Sequence, residues 1–182
     1  MIKLLKEDLK TYKGDMLRPG FWVMIVYRFG QWRYTVRPGI LRKPASLLYK
    51  LMYLAVQLIT GIELPCEVPL GKGFRIDHHG GIVVSGFARF GDNCVLRNGV
   101  TVGLQREDEP AAPQVGNNVS FGAGCKVLGN IKIGDNVSIG ANAVVIKDVP
   151  ANCLAVGIPA RIIPMGVKKE HREEPAIAGE EV

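Results

Sequence analysis

Apolar residues recur at every sixth position through much of this chain: Val115, Phe121, Val127, Ile133, Ile139 and Val145, with Gly following at 116, 122, 134 and 140. An earlier run, Leu64, Leu70, Ile76 and Ile82, keeps the same step; after a slip of two residues it continues as Phe90, Leu96 and Val102. A step of six matches neither the period of an α-helix nor the strict alternation of a half-buried strand. It matches a parallel β-helix, in which each side of a triangular coil is a short strand plus a turn. One apolar residue per side points into the prism. The next turns the corner, where Gly, Asn or Asp tolerates the dihedrals required. Coils stack at about 4.8 Å, and residues 62–103 and 113–163 suffice for about five of them. No coil buries its apolar positions alone, so stacking supplies the core. A β-sandwich is the poorer fit, because its strands alternate at period two.

Around this repeat the chain divides into a helical N-terminal region (1–61), a β-helix domain (62–163) interrupted by the loop LQREDEPAA (104–112), and a flexible tail (164–182). Before the repeat, Leu47, Leu48, Leu51, Leu54, Ala55 and Leu58 fall at helical spacing between Pro44, suited to a first turn, and Gly61, suited to a stop. Two partners fit that helix: its own domain or a subunit contact, or an anionic membrane surface drawn to Arg37, Arg42, Lys43 and Lys50. The charge favours an anionic partner for this region. The chain carries 23 Lys+Arg against 17 Asp+Glu, but residues 1–60 hold 11 against 3, a net of +8 that leaves −2 for the rest. No nucleic-acid-binding pattern accompanies the excess, so a nucleic-acid partner is not expected. Cysteines at 66, 94, 125 and 153 are too far apart for a metal knuckle or a redox pair, so no metal is expected. The start carries no cleavable signal pattern and no apolar run reaches membrane-spanning length. The expectation is a cytoplasmic protein with reduced thiols, with the inner face of the membrane as its place of any lipid contact.

Histidine is the side chain best suited to move protons near neutral pH. Of three, His171 lies in the tail, while His78 and His79 sit together in RIDHHGGIVV. Adjacent strand residues face opposite ways, so the two are expected to have different roles. Asp77 is placed to order an imidazole or to bind an acceptor.

The stretches GKGFRIDHHGGIVV, NCVLRNGVTVG and VGNNVSFGAGCKVLGNIKIGDNVSIGANAVVIKDVPANCLAVGIPARII resemble the serine acetyltransferase branch of the hexapeptide-repeat acyltransferases. The resemblance implies a left-handed β-helix and an O-acetyltransferase that uses acetyl-CoA. It implies that His78 is the general base, that Asp77 contacts the acceptor, and that Glu63 stands where the family has an Asp orienting the catalytic imidazole. It also implies a coenzyme slot lined by Gly103, Ala123, Gly124 and Ala141, with Lys147 and Arg161 at the phosphates, and a homotrimer with each slot between neighbours. Two departures shape the acceptor expectation. The family's Arg-His pair for the serine carboxylate would fall near Ala111, Ala112 and Pro113, whereas the loop here offers only Arg106 beside Glu107, Asp108 and Glu109. The family's long helical N-terminal domain is also absent, which favours a trimer over a hexamer. A sugar or glycan intermediate, of the kind handled in polysaccharide biosynthesis, is therefore the expected acceptor, with Arg106 contributing to its binding. Serine is the alternative substrate, and a non-catalytic β-helix scaffold the alternative class.

Overall fold

The computed structural model describes residues 1–106, 108 and 110–166. Three helices come first: α1 (Ile2–Thr11), α2 (Pro19–Arg33) and α3 (Gly39–Thr60). Proline opens α2, where its missing N–H would have no helical partner anyway. Gly61 ends α3 in the left-handed region, at φ 64°. Pro44 is not in the first turn of α3, as the sequence suggested; the helix begins at Gly39 and carries Pro44 inside it. The Leu stripe is not the packed face either. Leu47, Leu51, Leu54 and Leu58 are each more than half exposed, while Tyr49 and Val56 are buried. The aromatic and β-branched positions fill the space against α2 and the first strand, and the leucines are left outward. Among the described residues, no helix is long and apolar enough to cross a membrane. A buried pair ties α1 to α2: Arg28 donates to Asp8 through Nε at 2.8 Å and Nη2 at 3.0 Å. Removing one partner would strand the other charge in the core.

Short strands follow: β1 (Ile62–Glu63), β2 (Arg75–Asp77), β3 (Ile82–Val84), β4 (Arg89–Phe90), β5 (Val95–Arg97), β6 (Thr101–Gly103), β7 (Gln114–Val115), β8 (Ser120–Phe121), β9 (Lys126–Leu128), β10 (Lys132–Ile133), β11 (Ser138–Ile139), β12 (Val144–Val145), β13 (Cys153–Val156) and β14 (Arg161–Pro164). They form the three faces of a left-handed prism. The first face is β1-β3-β6-β9-β12, the second β4-β7-β10, and the third β2-β5-β8-β11-β13 with β14 at its end. Pairing is parallel except between β13 and β14. Strands this short carry little of the twist that normally makes parallel crossovers right-handed.

Each face stacks one inward column. Leu64, Val84, Val102, Val127 and Val145 line the first; Leu70, Phe90, Val115, Ile133 and Val149 the second; Ile76, Leu96, Phe121, Ile139 and Ala155 the third. The six-residue ladder thus marks the core as far as Val145, after which Val149 and Ala155 follow at steps of four and six; one earlier position is also corrected. Val84, not Ile82, holds the ladder position, because Leu64 lies level with it when Ile62 pairs with Ile82. The ladder therefore steps by eight from Ile76 to Val84, and the extra residues fall in the corner His78–Gly81. A second inward position lies two residues before most ladder residues, and it includes Cys94, Cys125 and Cys153, all of them buried free thiols. Burial pushes the Cys94 thiol up to about 11 and the Cys125 thiol up to about 12, so both stay protonated. At another corner Asn93, Asn118, Asn136 and Asn152 all take positive φ and pass side-chain amide bonds of 3.0–3.1 Å from coil to coil. The final segment does not continue the spiral through residue 163 as expected: β13 and β14 fold back as an antiparallel hairpin. His171 and most of the tail lie outside the described residues.

Candidate active site

β2 is the outermost strand of its face, so one edge of it has no strand neighbour. The N-terminal helices close that edge. The Ile76 N–H donates to Tyr12 Oη at 3.0 Å. Gly20, in the first turn of α2, lies so close that a Cβ there would stand 2.5 Å from Ile76 O and 2.6 Å from Tyr12 Oη. Only glycine permits that approach. Tyr12 is 2% exposed, and burial pushes its phenol well above its ordinary value, so it stays neutral.

Arg75 and Asp77 project outward on either side of buried Ile76 and pair at 2.9 Å between Arg75 Nη2 and Asp77 Oδ2. With Thr11, Tyr12, Lys13, Arg18 and His78 they line a cavity of about 200 Å³. A single water needs only about 10–15 Å³ on the same measure, so the cavity has room for a small solute.

His78 lies past the end of β2 at φ 64°. The strand-alternation argument for His78 and His79 therefore does not hold, because both sit in the enlarged corner; what separates them is that His78 lines the cavity. A residue with a Cβ is uncommon at this φ, and such positions concentrate at functional sites. The corner closes with Gly81, which stacks on Gly61 below and Gly99 above, and Gly99 in turn meets Gly124; all have φ between 64° and 73°. Ala123 and Ala141 occupy the same corner in the next coils, and Ala123 O accepts the Asn142 N–H at 2.8 Å. His78, Ala123, Gly124 and Ala141 thus share one edge of the prism, at the start of the first face.

Gly103 and Lys147 occupy the opposite edge of that face, Gly103 as the last residue of β6 and Lys147 two residues past β12. Lys147 lines a second cavity of about 220 Å³ with Val145, Ile146, Pro159, Ala160 and Ile162, beside exposed Arg161. The loop carrying Arg106 also leaves from this edge. Arg106 pairs with Asp108 through Nε and Nη2, both at 3.1 Å; Glu107 and Glu109 lie outside the described residues. Glu63 accepts from Gln57 Nε2 at 3.4 Å. Among the described residues, no cluster of three or more His, Cys, Asp or Glu side chains could hold a metal. Sequence reasoning missed Tyr12, Lys13, Arg18 and Arg75. Arg75 was within reach, because period-two alternation puts it on the same face as Asp77. The others reach the cavity only by helix docking.

A prism of this kind, built on a six-residue step, is the architecture of the hexapeptide-repeat proteins. Residues 112–147 match the family model described as bacterial transferase hexapeptide (six repeats). A serine acetyltransferase of Synechococcus elongatus is 42% identical over 80% of this chain and 57% of its own length. One of Staphylococcus xylosus is 37% identical over 79% of this chain and 69% of its own length. The chain thus spans little more than half of the first of these relatives. Among solved structures, Neisseria gonorrhoeae serine acetyltransferase in complex with serine matches with a TM-score of 0.73 at 29% identity, covering 89% of this chain and 68% of that one. The Brucella abortus enzyme in complex with coenzyme A matches with a TM-score of 0.75 at 28% identity, covering 90% and 67%. The chain belongs to the serine acetyltransferase family.

These findings overturn the expected sugar or glycan acceptor. The relatives named are serine acetyltransferases, and one solved neighbour holds serine. Of the three loop acids weighed in that expectation, Asp108 is paired with Arg106, both side chains being about two-thirds exposed.

Proposed function

We propose that this chain is a serine O-acetyltransferase that takes its acetyl group from acetyl-CoA. One observation carries the reading: His78 lines a cavity with Asp77 and stands on the same prism edge as the small residues Ala123, Gly124 and Ala141. In this scheme His78 removes the proton from the serine hydroxyl. The oxygen attacks the thioester carbonyl, and the tetrahedral adduct collapses with loss of the coenzyme thiolate, which recovers a proton from the imidazolium. Asp77 takes the serine amine, and Glu63, one coil below, supports the imidazolium charge. Small residues along the edge let backbone amides reach the pantetheine arm.

The remaining donor residues support a shared site. Gly103 and Lys147 lie away from the His78 edge, at the far side of the first face, whereas Arg161 pairs with Val156 at the end of the third face. A cyclic assembly joins one edge of a copy to the opposite edge of the next, the head-to-tail contact that closes as a ring. The resemblance makes that ring a trimer.

The test is thiol release from acetyl-CoA by the purified chain. L-Serine is expected to drive release and to appear as O-acetylserine in the mass spectrum. Release with other hydroxyl compounds but not with serine would contradict the reading, and release with none would favour a scaffold.

A further inference from the structure

We propose that this chain holds the acceptor's carboxylate with Arg18 and Lys13, supplied by the segment between α1 and α2 rather than by the loop after β6. The inference rests on the serine acetyltransferase reading above and names the part of that site which selects the substrate. Three cations, Lys13, Arg18 and Arg75, and one carboxylate, Asp77, line the cavity beside His78. That is the complement of a zwitterion: one anionic group for an amine, and surplus positive charge for a carboxylate.

The cations have different commitments. Arg75 is bound to Asp77 at 2.9 Å, so it fixes the amine-binding carboxylate and leaves Asp77 Oδ1 for the ligand. Arg18 is paired only with Asp15, at 3.2 Å, three residues away, and both side chains are about half exposed. Such a pair is worth little, and Arg18 can exchange it for a ligand carboxylate bound in the cavity. No partner holds the Lys13 ammonium among the described residues. Lys13 closes α1 at φ 56°, which turns the chain toward the cavity wall. Arg106 is paired with Asp108 through two bonds of 3.1 Å, on the loop after β6.

The test compares wild type, Arg18→Gln, Arg18→Lys, Lys13→Gln and Arg106→Gln in the thiol-release assay, with L-serine and with serinamide, which lacks the carboxylate. R18Q and K13Q are each expected to raise KM for L-serine about tenfold or more, with kcat changed much less and KM for acetyl-CoA unaltered. R18K is expected to recover part of the loss. R18Q is expected to erase the preference of wild type for serine over serinamide. An unchanged serine KM in both R18Q and K13Q, with wild type active, would overturn the inference and leave the proposed function standing. So would a rise in KM confined to R106Q. A wild-type protein inert toward serine would overturn the proposed function and this inference together.

Discussion

Replacing His78 with Asn is expected to lower kcat by at least about 100-fold, with acetyl-CoA binding retained, because general-base catalysis contributes roughly 10²–10⁴-fold. Asn is the informative replacement. His78 holds φ 64°, a conformation that Asn tolerates better than Ala, so H78N removes the imidazole without distorting the corner. His78→Ala should show the same loss together with some loss of stability. His79 is the internal control. It sits in the same corner but does not line the cavity, so His79→Ala should keep kcat within a few-fold of wild type, about the scale of a small positional disturbance. A dead H79A beside an active H78N would move the base by one residue and break the match between the corner and the family motif. Steady-state thiol release, with coenzyme binding measured separately by calorimetry, gives both quantities.

Ile133→Asp is expected to abolish folding of the repeat. Ile133 is 2% exposed and stacks between Val115 and Val149 in the second face. An aspartate there would bury an uncompensated charge at a cost above about 4 kcal/mol, against a typical total stability of about 5–15 kcal/mol. Because each coil leans only on its neighbours, the damage would spread through the coils on both sides. Lys132→Asp is the paired control: Lys132 is adjacent but exposed, so the same charge there should change stability by less than about 1 kcal/mol. Thermal unfolding followed by circular dichroism separates the two outcomes. Equal destabilisation by both would mean that the six-residue ladder does not mark the inside of the prism.

The prism was legible because its core is written in a strict period. The columns on its three faces are the residues that the six-step ladder selects, apart from the exchange of Ile82 for Val84 and the last two positions, Val149 and Ala155, which follow Val145 at steps of four and six. That exchange was hidden because both residues are apolar and buried; periodicity alone does not say which of two inward positions a residue fills. The slip of two residues was nevertheless visible, and placing it correctly puts the enlargement at His78–Gly81. The helices were less legible. The Leu stripe of α3 has the pattern of a packed face, yet Tyr49 and Val56 make the contact, because the shape of the neighbouring surface decides which side of a uniformly apolar helix is buried. The cavity was least legible. Tyr12 and Ile76 are 64 residues apart in sequence, and only the close approach allowed by Gly20 brings Lys13 and Arg18 beside Asp77.

A co-expression experiment tests most directly the claim that two opposite edges of the first face meet to form one site. Gly103→Leu should fold, since a Cβ at Gly103 meets nothing closer than the Ser85 Cβ at 3.7 Å, but its side chain would fill the coenzyme slot. H78N alone and G103L alone should each be inactive. In mixed assemblies, an intact His78 edge on a G103L copy faces an intact Gly103 edge on an H78N copy. Random assortment then restores about a quarter of the sites. Recovery of serine-dependent thiol release to that level in the mixed protein is the predicted result. No recovery, with mixed assemblies confirmed by native mass spectrometry, would contradict the account and place the whole site within one copy.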